Sequence, residues 1–164
     1  MKLRDAFQLL THTYQPAGLN FNEHEIALTF DDGPDPIYTP LVLSILARFK
    51  VKATFFIVGK QVEKYPDLVQ KIHQEGHAIG NHTWSHELPF FQSKNRIEQE
   101  IEKTQFIIKH TCGITPTLFR PPFGVSSRAM EAALDFKGLD LILWTQSLKD
   151  WNAHKPEKIE KAFR

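Results

Sequence analysis

Cysteine is nearly absent, Cys112 being the only one among 164 residues. A lone thiol closes no internal disulfide and builds no multi-cysteine zinc knuckle. Excess charge of either sign is missing too, with 20 Lys and Arg against 19 Asp and Glu. Such a balance gives no long-range field for gripping nucleic acid or anionic lipid, so neither partner is expected. No apolar run is long enough to span a bilayer. The opening Met1-Lys2-Leu3-Arg4-Asp5 leads only to a broken patch at Phe7, Leu9 and Leu10, too short and too charged for a signal peptide. The chain therefore reads as soluble, without membrane insertion. Neither Gly-x-Gly-x-x-Gly nor Gly-x-x-x-x-Gly-Lys occurs, which weakens a nucleotide-binding reading. Internal repeats and low-complexity tracts are also lacking.

What is present is an alternation of strand and helix signals at a length that suits one domain with its own core. Residues 1–25 read as a lead-in and 26–164 as the domain. Ile26-Ala27-Leu28-Thr29-Phe30 is strand-like and closes at Asp32-Gly33-Pro34. Thr39-Pro40 supplies an N-cap followed by proline, and Leu41, Ile45, Leu46 and Phe49 recur at helical spacing. Residues 53–58, Ala-Thr-Phe-Phe-Ile-Val, form a run expected of a strand covered on both faces. A helix from Pro66 stopped by Gly76, a short strand at 77–80, a long helix from Ser93 to His110 and a strand at 117–119 follow. A helix from Ser127 to Lys137, a strand at 139–144 and a last helix opening at Pro156 complete the pattern.

This alternation calls for parallel strands joined by right-handed crossovers, either an open doubly wound sheet or a barrel. Both place their sites at strand C-termini. The chemically interesting residues fall there: Asp31 and Asp32 after the first strand, His82 and His86 after the third, Arg120 after the fourth, Asp150 after the fifth.

Each signal has a bland reading. Neighbouring strand residues point to opposite faces, so Asp31 and Asp32 address one site only where the strand breaks. An isolated Asp-Asp-Gly-Pro is more often a turn. His82 and His86, four apart, reach one metal if their segment takes a helical turn; otherwise they are solvated loop histidines. Arg120 precedes the stiff Pro121-Pro122 pair, so it suits a bidentate pairing with a carboxylate or an ordinary surface role. His12, His24, His73, His77, His110 and His154 lack such context and read as surface or packing residues.

Taken together and in order, these residues resemble the polysaccharide deacetylase family, the NodB-homology or carbohydrate esterase family 4 domain. Thr29-Phe30-Asp31-Asp32-Gly33-Pro34-Asp35 is similar to its first motif and Asn81-His82-Thr83-Trp84-Ser85-His86 to its second. Arg120-Pro121-Pro122-Phe123-Gly124 is similar to the third and Asp150-Trp151 to the end of the fourth. The resemblance runs from about Ile26 to Trp151 and implies an α/β fold, a distorted (β/α) barrel of the seven-stranded NodB type. It further implies that Asp32, His82 and His86 ligate one divalent metal, zinc first, with Co²⁺, Ni²⁺ or Mn²⁺ as alternatives. Asp31 would be the general base, Arg120 its orienting partner, and the Phe123 N–H an oxyanion donor. Asp150 would pair with a catalytic histidine, and Pro122 and Trp151 would bind substrate.

The implied reaction removes N-acetyl groups from amino sugars of a peptidoglycan- or chitin-type glycan, the N-acetylated glycan being the expected partner. Two histidines and one carboxylate leave positions open for water and a carbonyl, as that chemistry needs. Two departures stand out. Ser147 occupies a position where many members carry aspartate. The family's Leu-x-His motif, whose histidine protonates the leaving amine, is not reached before Arg164, so the barrel is expected to lack its last strand or strands and turnover to be weak. His154 is a candidate substitute acid. Competing readings are a pseudoenzyme that keeps metal or sugar binding, an acetyl-ester hydrolase acting on acetylated xylan, and a non-haem iron oxygenase with the same ligand types.

Overall fold

A computed structural model describes residues 26–89, 92–145 and 147. The lead-in 1–25, Asp150, Trp151, His154 and the helix expected at Pro156 lie outside the described residues. Five strands, β1 (Thr29–Gly33), β2 (Thr54–Ile57), β3 (Ala78–Asn81), β4 (Leu118–Phe119) and β5 (Asp140–Leu141), form one sheet. All neighbouring pairs are parallel and the spatial order follows the chain, β1 to β5. That sequential order resolves the choice left open by the alternation. A doubly wound sheet reverses direction at a switch point, whereas a barrel advances one strand at a time. Among the described residues β1 and β5 are the two edges of the arc.

Between the strands run α1 (Tyr38–Phe49), α2 (Gly59–Lys64), α3 (Pro66–Gln74), α4 (Lys94–Cys112) and α5 (Arg128–Lys137). Their ends follow local chemistry. Ser93 and Ser127 cap α4 and α5 by accepting from Arg96 N and Met130 N, and Gly113 and Gly138 close them in the left-handed conformation. The start of α1 differs from expectation. Thr39 lies inside the helix, and Asp35 does the capping, its Oδ1 accepting from Ile37 N and Tyr38 N at 2.8 and 2.7 Å. The helix α2 was not expected, six residues being too few to show a period. The first strand is shifted towards its C-terminus, and the fifth is shorter than the 139–144 run.

Strand alternation sorts the side chains into two layers. Phe55 and Ile57 of β2 and Ile79 of β3 face the helices, packing with Leu43 and Leu46 of α1, Val62 of α2, Val69 and Ile72 of α3 and Ile108 of α4. A second cluster joins Phe119 and Leu141 to Ile97 and Ile101 of α4 and Met130, Ala133 and Leu134 of α5. Helix α4 thus ties both clusters together. Full burial of each such side chain contributes about 1.5–3 kcal/mol. The opposite face of the sheet carries Phe56, packed so tightly against Gly80 that a Cβ there would stand 2.4 Å from the ring. Glycine at 80 is thus fixed by space rather than by backbone angle.

His77 is a packing residue, as expected, and is buried. Its Nδ1 accepts from Ala53 N at 3.2 Å, joining the start of β3 to β2. Burial, helped by the charge on Lys52 and opposed by Glu75, pushes its pKa below the ordinary 6.5. The folded state therefore binds fewer protons here than the unfolded chain. Neutral His77 stabilises fully above about pH 6.5, and that contribution is lost as pH falls through the lowered value. Denaturant midpoints at pH 7.5 and pH 5 are expected to differ more in the wild type than in His77→Gln, whose amide oxygen can keep the Ala53 hydrogen bond; equal differences would refute this assignment.

Candidate functional site

At the C-terminal ends of β1, β3 and β4, five polar side chains named from the sequence converge: Asp31, Asp32, His82, His86 and Arg120. The strand pattern explains how. Phe30 faces the helices, so Thr29 and Asp31 face the other way, and both meet the Arg120 guanidinium, whose Nη1 donates to Thr29 Oγ1 and Asp31 Oδ1 at 2.7 Å each. Asp32 would point away in a regular strand. Instead the β1–β2 register slips between Phe30 and Gly33, and Asp32 adopts φ 68°, in the left-handed region. The break lies inside the strand as a bulge, where a loop beyond it was expected, and it turns two successive carboxylates into one site.

The two histidines come together differently from the helical turn that their spacing suggested. Residues 82–86 are not helical, and Thr83 and His86 have φ of 65° and 56°. Left-handed non-glycine residues cost about 1 kcal/mol or more each, so surrounding contacts must hold them. The resulting ring centroids lie 5.0 Å apart. His82 Nε2 and His86 Nε2 stand 3.3 and 3.0 Å from Asp32 Oδ1. Hydrogen bonds from both imidazoles hold the Asp32 carboxyl well below the usual carboxylate range.

Arg120 is buried, at 2% exposure, and not the surface arginine of the bland reading. Its contact with Asp31 uses one nitrogen and one oxygen instead of the expected bidentate fork. Its Nε is committed elsewhere, donating to Ile142 O at 3.2 Å, and the face of the guanidinium lies 4.1 Å from the Phe56 ring centroid. Its backbone also serves the site, for Arg120 O sits 2.6 Å from His82 Nδ1. A carbonyl can only accept, so Nδ1 carries a proton, which leaves Nε2 as the nitrogen turned towards Asp32 and, in the neutral ring, the one that can take a metal ion.

The turn after Arg120 forms a wall. Pro122 is buried, whereas Phe123 is exposed, has φ 59°, and packs on His86 with ring centroids 4.7 Å apart. Trp144 lies over Gly124, where a Cβ would come within 2.5 Å of its ring. Asp150 and Trp151 fall outside the described residues.

A divalent ion fits this donor set. The nitrogen and oxygen atoms of Asp32, His82 and His86 offered for ligation all lie within 4.8 Å of one another. Two ligands of a tetrahedral ion with bonds of about 2.0–2.1 Å stand about 3.3 Å apart, close to the two His–Asp separations.

Sequence reasoning missed Glu100. Although on the inward face of α4 and 2% exposed, it is charged, and its Oε2 accepts from Trp84 N, Ser85 N and Ser85 Oγ at 3.1, 2.7 and 2.8 Å. The available signal was a carboxylate one residue from Ile101 on the apolar stripe Ile97, Ile101, Thr104, Ile108.

A parallel βα arc with an Asp-His-His cluster that could hold a metal ion, and a second carboxylate beside it, presents donors of the kind that metal-dependent hydrolases use. The polysaccharide deacetylase family model matches residues 18–142, and the chain belongs to that family. A peptidoglycan-N-acetylglucosamine deacetylase of Bacillus cereus is 37% identical over 140 residues, covering 85% of this chain and 50% of that protein. The peptidoglycan-N-acetylmuramic acid deacetylase PdaC of Bacillus subtilis is 38% identical over 138 residues, 84% of this chain and 29% of that protein. The solved structure of PdaC superposes with a TM-score of 0.79 at 37% identity, covering 83% of this chain and 66% of that one. The chain thus spans half or less of the length of these curated relatives. No helix among the described residues is long and apolar enough to cross a membrane.

Replacing Arg120 by Met is expected to destabilise the fold by about 3 kcal/mol, because the pairing that compensates Asp31 is lost while Thr29 Oγ1 and Ile142 O lose their donor. Denaturant unfolding measures it, and a change below about 0.5 kcal/mol, the size of an ordinary surface substitution, would contradict the structural role.

Proposed function

We propose that the chain is the hydrolytic centre of a metal-dependent carbohydrate N-deacetylase acting on N-acetylated amino sugars of a peptidoglycan- or chitin-type glycan. The observation that carries this reading is a carboxylate, Asp31, oriented by a buried arginine and set beside three metal-type donors. Two features beyond that support the substrate class: the family match and the named activities of the similar proteins.

Asp32, His82 and His86 would hold the ion, Zn²⁺ by the nature of the donors, with Co²⁺, Ni²⁺ or Mn²⁺ as substitutes. When bound, such an ion supplies Lewis acidity, polarising an acyl oxygen and acidifying a water beside it. Asp31 then takes the proton of the attacking water. Arg120 holds Oδ1 of Asp31, which fixes the carboxylate plane and leaves Oδ2 for the proton. Water oxygen attacks the acetyl carbon, the C–N bond breaks, and the amine nitrogen leaves with the proton that Asp31 took from water as acetate forms. The Phe123 backbone, already turned to φ 59° on the site's rim, is suited to present its N–H to the developing oxyanion. Asp150 and Trp151 complete the proposed set through the family motif they resemble.

The family match favours this hydrolysis over the oxygenase reading of the same ligand types, and Asp31 is the base that only the hydrolase requires. Release of acetate from N-acetylglucosamine oligomers by the full-length protein with Zn²⁺ or Co²⁺ is the direct measurement. Asp31→Asn should lower turnover by about 10²- to 10⁴-fold while metal uptake stays intact. Undiminished turnover in that variant would remove Asp31 from its role. Metal uptake without acetate release by the wild type would instead support a binding protein that is not catalytic.

A further inference from the structure

The second metal-type histidine sits on a loop held partly by its own side chains, Asn81 Oδ1 accepting from Thr83 N at 2.9 Å and Thr83 Oγ1 from His86 N at 3.2 Å, and partly from outside. Trp84 and Ser85 lie between two left-handed residues, Thr83 and His86. Their backbone is fastened on both sides. The carbonyls of Thr83 and Trp84 accept from Gly59 N and Lys60 N at 2.9 and 3.0 Å, the first N–H groups of α2. The N–H groups of Trp84 and Ser85 donate to a single oxygen of Glu100 on α4, which the Ser85 hydroxyl also reaches. The other Glu100 oxygen lies 2.9 Å from Arg96 Nη2. Arg96 also comes within 3.8 Å of Glu87, the residue after His86.

All four groups around Glu100 carry hydrogens to give: two amides, a hydroxyl and a guanidinium. Only an acceptor-only side chain satisfies them together. A carboxylate does so, whereas a glutamine of the same shape places an NH₂ against donors. His82, by contrast, is fixed without Glu100, by Arg120 O and by its own backbone N–H to Ile57 O at 3.1 Å. The two histidines therefore have separate supports.

We infer that Glu100 is a positioning residue for the proposed metal centre, a buried carboxylate on α4 that holds the Trp84–Ser85 backbone and through it sets the place of His86. This rests on the metal-binding role proposed for Asp32, His82 and His86. Loss of Glu100 frees a loop strained at two residues, and that loop relaxes at His86 while His82 keeps its place. An outer support of this kind is worth about 10- to 100-fold in metal affinity when removed.

The experiment titrates the full-length protein with Co²⁺ alone, following the visible absorption band and its dissociation constant, in wild type, Glu100→Gln, His86→Ala and the double variant. Glu100→Gln should weaken Co²⁺ binding by about 10- to 100-fold. In the His86→Ala background the same substitution should add almost nothing, because its effect passes through His86. A role confined to general stability moves the melting temperature of the metal-free protein but not this cycle. Where Glu100→Gln does not fold, Ser85→Ala removes one contact to the same oxygen, with about a threefold loss expected, again absent beside His86→Ala. Wild-type affinity and spectrum in Glu100→Gln, or losses that multiply in full in the double variant, overturn the inference. Failure of the wild type itself to bind Co²⁺ overturns the metal centre and the inference with it, so the two outcomes are distinct.

Discussion

A guanidinium in the interior of a small domain is costly to bury unless it is paired and hydrogen-bonded, and Arg120 finds such partners on segments that are far apart in sequence. Thr29 and Asp31 come from β1, Phe56 from β2, and the Ile142 carbonyl from the segment beyond β5. Its main-chain N–H donates a hydrogen bond to Asn81 O, and its carbonyl accepts from His82 Nδ1. Removal of the charge would therefore unsettle strands at both ends of the arc together with the imidazole nearest its centre. The same residue that orients the second carboxylate also fixes the proton on His82 Nδ1, so the proposed base and the proposed ligand are coupled through one side chain and its own peptide groups.

The sheet makes this economical in sequence. A parallel strand with helices on its outer face must be apolar on alternate residues, and Phe30, Phe55, Ile57, Ile79 and Phe119 meet that demand. The intervening positions are then free to carry Thr29, Asp31, Phe56, Gly80 and Arg120. Gly80 makes room for Phe56, and the Phe56 ring in turn supports the guanidinium. Packing on one face and chemistry on the other are thus written in the same short strands, offset by one residue.

Much of this was legible because it depends on spacing and order. The strand–helix alternation, the placement of five polar residues at the C-terminal ends of strands, and the serine and glycine ends of α4 and α5 all follow from rules that act over a few residues. The parts that were not legible depend on contacts between distant segments. Asp32, Thr83 and His86 are left-handed although none is glycine; the bonds from Thr83 N to Asn81 Oδ1 and from His86 N to Thr83 Oγ1 hold part of that geometry, and the slip against β2 and the clasp between α2 and α4 hold the rest. Choice between a doubly wound sheet and a barrel required the spatial order of the strands, which a period along the chain does not contain. Glu100 escaped notice because a charge on an apolar stripe reads as an interruption until the groups facing it are known.

Those two kinds of information meet in the histidine loop. A cation gains most from ligands that are already in place, because ordering a loop on binding subtracts from affinity. His82 obtains that order cheaply, as the residue directly after a central strand, flanked by β2 and β4. His86 lies four residues further on, where strand pairing has ended, and its position depends on a strained backbone held from two helices. The six-residue α2 gains a reason to exist from this: its first two N–H groups are unsatisfied within the helix and take up the loop carbonyls. Glu100 answers the opposite need, accepting where the loop can only donate. Helix end and buried carboxylate together turn a segment with no regular structure into one with a single geometry, and that geometry is what brings a second imidazole to the bulged aspartate.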